Sequence, residues 1–261
     1  MEQDQVSSNS NLPVNLKSRL QSSYDATAPI YNKWTAQHSH LRLRYVDRLL
    51  QFLPEASQLP PQTDEDASTV ESQSNDSPFF RSLSGKLVAL ELGCGSGHPV
   101  TAKLLSTNLF AKITANDLSP VQIQLGQKAS DLGSDKRVGW VVGDMMALSF
   151  PDDSLDVVVG LYSLIHLPRE EQLVMMQKIG KWLRPGGLVL VNFSREDEES
   201  QVMEQWLGQE EGWMFWSGFG AEKMLGFLIE KVQELEVLVG EVTREEGGAD
   251  AEFLWVIGRK K

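Results

Sequence analysis

The sequence feature that most constrains the fold is a set of glycines directly behind an apolar run. In "LVALELGCGSGHPV" the glycines Gly93, Gly95 and Gly97 occupy alternate positions. A continuous apolar run is typical of a strand that is covered on both faces of a parallel sheet. Because glycine lacks a β-carbon, the backbone can turn sharply there and a ligand can approach its amides closely. The stretch therefore predicts either a tight strand-to-helix turn or the floor of a nucleoside-binding site.

Strand-like and helical segments alternate from Lys86 onward. The strand-like runs are "KLVALEL", "KITAND", "RVGWVV", "LDVVVGLY" and "LVLVNF", and helical patterns lie between most of them. This order predicts right-handed crossovers in an α/β fold with a doubly wound, Rossmann-like, mostly parallel sheet. Two later runs, "EVLVGEVT" and "AEFLWVIG", flank the polar turn "REEGGAD" and predict a C-terminal antiparallel hairpin.

Composition divides the chain into four predicted parts. Residues 1–15 are polar and are expected to form a disordered tail, and residues 16–56 are expected to form an N-terminal helical lid. Residues 57–84 carry acids but almost nothing to bury, which predicts a flexible acidic insertion. Residues 85–261 are the predicted main domain. Arg42 lies on the second lid helix, where a solvated surface position is the simplest interpretation.

Charge and composition disfavour several classes of function. The 36 acidic and 24 basic side chains give a net charge of −12, whereas a nucleic-acid binder normally presents a basic surface. No stretch approaches the roughly 18 apolar residues of a membrane helix, and the N-terminus lacks the pattern of a secretory signal. The single cysteine, Cys94, excludes an intrachain disulfide and a Cys-rich metal site. We expect a cytoplasmic protein without a metal, a nucleic-acid partner or a membrane partner, and a monomer or weak homodimer.

Acidic residues follow three successive predicted strands. Asp117 lies about 20 residues after the last glycine of the turn, the spacing at which an acid binds a ribose. Capping of the following helix is the alternative role for this acid. Glu91 precedes the glycines, and Asp144 follows the third strand. A dinucleotide fingerprint would place its third glycine at position 98, which is His98 here, so the pattern favours a nucleoside with a cationic centre over a pyrophosphate.

The ordered motifs "ELGCGSG", "ITANDLSP", "VVGDMMALSFPDDSLDVVVGLYSLIHLP" and "LRPGG" resemble those of class I S-adenosylmethionine-dependent methyltransferases of the small-molecule type. The resemblance covers about residues 86–193 and, with the closing hairpin, most of the chain. It implies S-adenosylmethionine as the cofactor and methyl transfer to a small organic acceptor. An enzyme that does not methylate and a binding module that keeps the fold are the alternatives.

The resemblance also implies which residues hold the cofactor. Glu91 would lie near the methionine amino group, Asp117 on the ribose, and Asp144 with Met145 on the adenine. Tyr24, in "YDATAPIY", would reach the cofactor from the lid. The full implied set is Tyr24, Glu91, Gly93, Cys94, Gly95, Gly97, Asp117, Leu118, Asp144, Met145 and Leu161.

The acceptor side is predicted from aromatic residues in two segments, the lid and the run "EGWMFWSGFGAEK". Such a cluster favours a sizeable apolar or aromatic acceptor, and hydrophobic packing is the alternative. The predicted acceptor-binding residues are Tyr31, Trp34, Tyr162, His166, Trp213 and Trp216. His166 follows the fourth strand and is the candidate general base, which an oxygen acceptor would need most. A histidine that only forms a hydrogen bond at a helix start is the alternative.

Overall fold

The computed structural model describes residues 12–53, 87–245 and 251–261. Most of the predicted tail at residues 1–15 and all of the predicted insertion at residues 57–84 lie outside these ranges. The four-part division of the chain therefore stays a prediction. The polar turn predicted between the last two strands also lies largely outside the described residues.

A seven-stranded sheet organises the molecule, in the order β3-β2-β1-β4-β5-β9-β8. The strands of this sheet are β1 (Leu87–Leu92), β2 (Phe110–Asp117), β3 (Val138–Val142), β4 (Leu155–Gly160), β5 (Leu183–Ser194), β8 (Leu235–Arg244) and β9 (Glu252–Lys260). The first five run parallel, and β9 is antiparallel to both β5 and β8. The predicted Rossmann-like sheet with a C-terminal antiparallel pair is confirmed.

Six α-helices lie in the described part of the chain. They are α1 (Leu16–Gln37), α2 (His40–Gln51), α3 (Val100–Ser106), α4 (Pro120–Lys128), α5 (Arg169–Trp182) and α6 (Ala221–Lys231). At the start of α4, Ser119 accepts a hydrogen bond from the amide of Gln122 at 3.1 Å, and Pro120 takes the first helical position; both residue types are typical of helix starts. Within the described ranges, no helix combines the length and apolarity needed to cross a membrane.

Both faces of the sheet are covered, which explains why its strands are apolar throughout. Successive residues of a strand point to opposite faces. Ala89 accordingly packs in the core beside α2, α3 and α4, whereas Leu90 packs in the core beside α5 and α6. Val157 and Val158 of β4 divide between the same two cores. Burial of the strands from both sides leaves only their ends to form a site.

A separate antiparallel hairpin lies between β5 and α6, and the sequence did not predict it. It consists of β6 (Asp197–Glu204) and β7 (Trp213–Phe219). The aromatic run "EGWMFWSGFGAEK" is therefore largely strand β7. Strand β6, "DEESQVME", is acidic and mostly exposed, so it lacks the apolar alternation that identifies a strand. Trp213, Met214 and Phe215 of β7 lie in one apolar cluster with Leu16 and Leu20 of α1.

Candidate active site

Two cavities adjoin at the carboxyl ends of the central strands. The first, about 680 Å³ including its open mouth, is bounded by α1, the glycine turn after β1 and the segments that follow β2, β3 and β4. The second, about 1730 Å³ on the same measure, is bounded by α1, α2 and the β6–β7 hairpin. Four residues line both cavities: Tyr24, Tyr31, Tyr162 and His166. Two ligands bound in these cavities would therefore meet beside these four side chains.

Gly93, Gly95 and Gly97 of the turn have different structural roles. Gly93 has a φ of 70°, and a β-carbon there would lie 2.3 Å from Cβ of Ser163. Gly93 and Gly95 line the first cavity. Gly97 lies away from the cavity, and a β-carbon there would lie 2.8 Å from the side chains of Leu132 and Trp140. The third glycine is thus required for packing, and the first two form the cavity floor.

Asp117 lies on the wall of the first cavity, at the end of β2. Its Oδ2 accepts a hydrogen bond from the amide of Gly95 at 2.7 Å, and its Oδ1 accepts one from the amide of Ser119 at 2.9 Å. Desolvation raises the pKa of Asp117 to about 6, although both backbone hydrogen bonds act to lower it. Because each carboxylate oxygen has a second lone pair, the group can still accept hydroxyl donors from a ligand.

Asp144 and Met145 line the same cavity beyond β3, together with Leu118 beyond β2. Asp144 accepts hydrogen bonds from the amide of Met146 at 2.9 Å and from Nζ of Lys17 at 2.7 Å. Lys17 also pairs with Glu171 at 2.8 Å. These ion pairs hold the start of α1 against the cavity entrance.

Besides Gly97, three other implied cofactor residues do not line the first cavity. They are Glu91, Cys94 and Leu161, which are only 5%, 4% and 8% exposed. The carboxylate of Glu91 accepts a hydrogen bond from the hydroxyl of Thr101 beneath the glycine turn. Desolvation raises the pKa of Glu91 to about 8, against the effect of that hydrogen bond. The expected contact of Glu91 with a methionine amino group thus has no counterpart in the lining of the cavity.

Sequence analysis missed three polar side chains that line the first cavity. Oδ1 of Asn116, both amide atoms of Gln122 and Oγ of Ser163 have no hydrogen-bond partner among the residues that the structure describes. All three side chains are at most 5% exposed. Buried polar atoms are normally paired, and these unpaired atoms belong to residues that line the first cavity. Their residue types and spacing match no motif, and only the folded chain brings them together.

The second cavity has aromatic walls. The predicted acceptor residues Tyr31, Trp34 and Trp216 line it, together with Trp206 of the β6–β7 connection. The ring centroids of Tyr31 and Trp206 are 5.5 Å apart, and those of Tyr31 and Trp34 are 6.2 Å apart. Such spacing suits a flat apolar molecule that inserts beside them.

Trp213 does not line the second cavity, contrary to the prediction. It is 4% exposed and packs with α1, and the guanidinium of Arg19 lies 4.1 Å from its ring centroid. The physical reason is the period of a β-strand: residues three positions apart point to opposite faces. Trp216 therefore faces the cavity and Trp213 faces the packed side.

Arg42 is a polar feature of the second cavity that was misinterpreted as a solvated surface residue. It is 6% exposed, its guanidinium lies 4.2 Å from the ring centroid of Tyr162, and its Nη1 donates to the carbonyl of His38 at 3.0 Å. The hydroxyl of Tyr162 donates to Glu245. An arginine, a tyrosine and a glutamate thus form one polar group in the lining, and the acids Glu196, Glu198 and Glu252 line the same cavity.

His166 lies at the junction of the two cavities, in the turn Leu164–His166. Its Nδ1 is 2.7 Å from the carbonyl oxygen of Phe215, and its Nε2 is 2.8 Å from the hydroxyl of Tyr24. Since a carbonyl oxygen only accepts, Nδ1 carries the proton and Nε2 accepts from Tyr24. Desolvation lowers the pKa of His166 to about 4, so the imidazole is neutral near pH 7.

The chain is similar to known methyltransferases in sequence and fold. Residues 89–187 match the family described as "Methyltransferase domain". The 2-methyl-6-phytyl-1,4-hydroquinone methyltransferase of Synechocystis sp. is 30% identical over 59% of this chain and 47% of its own length. A tRNA N(3)-cytidine methyltransferase of Gallus gallus is 30% identical over 41% of this chain and 30% of its own. The matches thus span less than half the length of these two curated relatives.

The fold extends the agreement beyond the matched residues. The structure of a Burkholderia thailandensis 1,6-didemethyltoxoflavin-N1-methyltransferase, which holds its acceptor and S-adenosylhomocysteine, covers 96% of this chain with 91% of its own. Its TM-score is 0.58 and its identity is 15%, so this likeness concerns the fold alone. Together the comparisons confirm the predicted resemblance to class I S-adenosylmethionine-dependent methyltransferases.

Proposed function

We propose that this chain, whose residues 89–187 match the methyltransferase domain, is an enzyme that transfers a methyl group from S-adenosylmethionine to a small apolar or aromatic acceptor. The observation that carries the proposal is the junction of two unlike cavities at the ends of the central strands. One has a glycine floor and unpartnered buried polar atoms, and the other has aromatic walls.

The first cavity fits the cofactor by its donors and acceptors. Asp117 would accept the ribose hydroxyls, and Asp144 would accept the adenine amino group with Met145 against the ring. The unpartnered atoms of Asn116 and Gln122 offer further hydrogen bonds to the polar groups of a nucleoside. When bound, S-adenosylmethionine supplies an electrophilic methyl group on a sulfonium.

The second cavity fits a flat, hydrophobic acceptor. Its aromatic walls favour stacking, and Arg42, Tyr162 and Glu245 would orient polar substituents. The relatives include enzymes named for a hydroquinone and for a toxoflavin precursor, both small ring systems. One relative is named for a tRNA, but the net charge of −12 disfavours such an acceptor here.

The protein contributes alignment and exclusion of water more than covalent chemistry. Positioning two reactants against each other is worth roughly 7–11 kcal/mol. Helix α1 covers both cavities, and its Asp25 accepts a hydrogen bond from the hydroxyl of Ser119 at the start of α4. Closure of α1 would bring Tyr24 and Tyr31 against both ligands at once.

A label-transfer screen tests the proposed function. S-adenosylmethionine with a labelled methyl group is incubated with the enzyme and a panel containing 2-naphthol, methylhydroquinone, a flavonol and an aromatic amine. We expect labelled product and equimolar S-adenosylhomocysteine from at least one ring acceptor. Consumption of an acceptor without S-adenosylhomocysteine would instead support an enzyme that does not methylate, and absence of cofactor binding would support a binding module.

Cellular location and assembly belong to the same proposal. We propose a cytoplasmic enzyme that works as a monomer or weak homodimer. Light scattering across a range of protein concentrations tests the assembly state, and a stable larger oligomer would contradict it.

A further inference from the structure

We propose that Tyr24 and His166 form a proton relay, and that the methyl acceptor is accordingly a hydroxyl group. The inference rests on the proposed function and deepens it, because it names the acceptor atom and the route of its proton. It derives from one hydrogen bond and from its position between the two cavities.

The pair lies where the two ligands would meet. The Tyr24 hydroxyl is 2.8 Å from Nε2 of His166, and both residues line both cavities. Tyr24 belongs to α1 and His166 to the turn after β4, so the hydrogen bond also joins the lid to the sheet. Edge-to-face contacts of Tyr24 with Tyr31 at 5.3 Å and with Trp206 at 5.7 Å fix its ring.

The carbonyl of Phe215 sets the direction of this hydrogen bond. Because Nδ1 of His166 must donate to that carbonyl, Nε2 is an acceptor and the Tyr24 hydroxyl is its donor. Nε2 therefore has no lone pair left for an acceptor molecule. Because the Tyr24 proton is donated to His166, the Tyr24 oxygen accepts in its side-chain hydrogen bond with Tyr31. Its remaining lone pair is the basic site that the pair presents to a ligand.

Burial keeps the resting pair neutral. Desolvation raises the pKa of Tyr24 well above its ordinary value, and Tyr31 and Asp117 add to that rise while Arg42 opposes it. Desolvation lowers the pKa of His166 to about 4. The other charged groups that line the two cavities are Lys17 and Asp144 on the first and Glu196, Glu198, Glu245 and Glu252 on the second. A neutral hydroxyl and a neutral imidazole are the state from which a proton can enter.

Methylation of a hydroxyl must release one proton, and the relay provides its path. The acceptor oxygen bonds to the methyl carbon, and the electron pair of the carbon–sulfur bond remains on sulfur. The acceptor proton passes to the Tyr24 oxygen as the Tyr24 proton passes to Nε2 of His166. The positive charge thus leaves the sulfonium and appears on the imidazolium, which still donates from Nδ1 to the Phe215 carbonyl. Water in the second cavity takes the proton back through Tyr24 once the product has left.

Two substitutions separate a relay from a hydrogen bond that only positions the lid. Tyr24→Phe removes the hydroxyl. His166→Gln keeps an acceptor for that hydroxyl but cannot take its proton. Tyr45→Phe is the matched control, because it removes another phenol that joins an N-terminal helix to the sheet. This phenol donates to Glu241 at 2.6 Å and lies outside both cavities.

Each variant is assayed for kcat with 2-naphthol and methylhydroquinone, and for S-adenosylmethionine affinity by calorimetry. We expect Tyr24→Phe and His166→Gln each to lower kcat by about 10²–10⁴-fold, with cofactor Kd changed less than about threefold. Tyr45→Phe should stay within about twofold in both. Full kcat in His166→Gln, a loss confined to cofactor Kd, or label that reaches only nitrogen, sulfur or carbon acceptors would each overturn the relay. Normal cofactor binding and methylation in those cases would leave the proposed function standing.

A spectroscopic readout needs neither cofactor nor acceptor. In protein with ¹⁵N-labelled histidine, His166 should show a protonated Nδ1, an unprotonated Nε2 and a pKa below its ordinary value. In Tyr24→Phe the Nε2 resonance should shift as its hydrogen bond is lost. A protonated Nε2 at neutral pH, or a resonance that is the same in both proteins, would contradict the relay.

Discussion

The two cavities differ in how the chain builds them. The first is made from backbone turns and short motifs that follow successive strands, so neighbours in sequence become neighbours in the site. The second is made from α1, α2, the β6–β7 hairpin and β9, which are far apart in sequence. The first cavity can therefore be predicted from local spacing in the sequence, whereas the second is formed only by tertiary packing. This division suits enzymes that have one cofactor in common and differ in their acceptors.

The largest effect should come from Gly93→Ala, which alters the floor of the first cavity. The residue has a φ of 70°, and the new β-carbon would lie 2.3 Å from Cβ of Ser163. We expect a loss of roughly 2–5 kcal/mol in the free energy of unfolding, measured with urea. S-adenosylmethionine affinity should fall by more than about tenfold.

Gly186→Ala is the control for Gly93→Ala. Gly186 has a φ of 81°, but a β-carbon there meets nothing within 4 Å. The Gly186→Ala variant should lose only as much free energy of unfolding as the strained backbone costs, and its cofactor affinity should be unchanged. Equal losses of affinity in both variants would mean that the turn at Gly93 is not the cofactor floor.

A second prediction concerns the buried acid below the first cavity. The pKa of Glu91 is about 8 in the folded protein and 4.5 in its ordinary state. The stability that comes from burying Glu91 as a neutral acid is thus fully present below about pH 4.5. It is lost as the pH rises to about 8. Glu91→Gln should match wild type near pH 4.5 and become more stable by on the order of a few kcal/mol by pH 8.

Thermal unfolding across this pH range measures the effect of Glu91→Gln. The exposed acid Glu222 on α6 provides the control substitution, Glu222→Gln. A stability difference that is independent of pH would show that Glu91 is already ionised in the folded state and faces a polar environment. The first cavity would then extend beneath its glycine floor.

The smallest effect should come from Lys17→Met, at the entrance. The ion pairs of Lys17 with Asp144 and Glu171 involve side chains that are about one-third exposed, and such pairs are worth about 0–1 kcal/mol. We expect cofactor affinity to fall less than about fivefold, with a faster dissociation rate in stopped-flow measurements. Lys103→Met, which removes the pair with Asp47 at 2.6 Å, should change neither quantity. A loss of cofactor binding in Lys17→Met would show that Lys17 contacts the cofactor directly and does not only hold α1 at the cavity entrance.

Features that depend on residues close together in the sequence could be predicted from it. The parallel sheet, the capping of α4 by Ser119 and the position of Asp117 at the cavity wall all follow from strand period, capping chemistry and short spacings. Glu91 is the exception, because a carboxylate at a strand end can turn to either side of the glycine turn. Only the packing of α3 shows that it meets Thr101.

What the sequence missed is set by tertiary contacts. Strand β6 pairs through its backbone although its side chains are acidic, so no hydrophobic period reveals it. The orientation of Trp213 depends on that pairing. The burial of Arg42 depends on the ring of Tyr162, which lies far away in the chain. The role of Gln122 depends on the approach of α4 to the glycine turn, where its Oε1 lies 3.8 Å from the β-carbon position of Gly95.

The most direct test of the two-cavity account is calorimetric titration of S-adenosylmethionine into wild type, Asp117→Ala and Trp216→Ala at pH 7.5. Asp117→Ala should weaken binding by about 1.5–3 kcal/mol, the value of a hydrogen bond to a charged group. Trp216→Ala should leave the Kd within about threefold of wild type. Unchanged affinity in Asp117→Ala, or an equal loss in both variants, would contradict the assignment of the first cavity to the cofactor and the second to the acceptor.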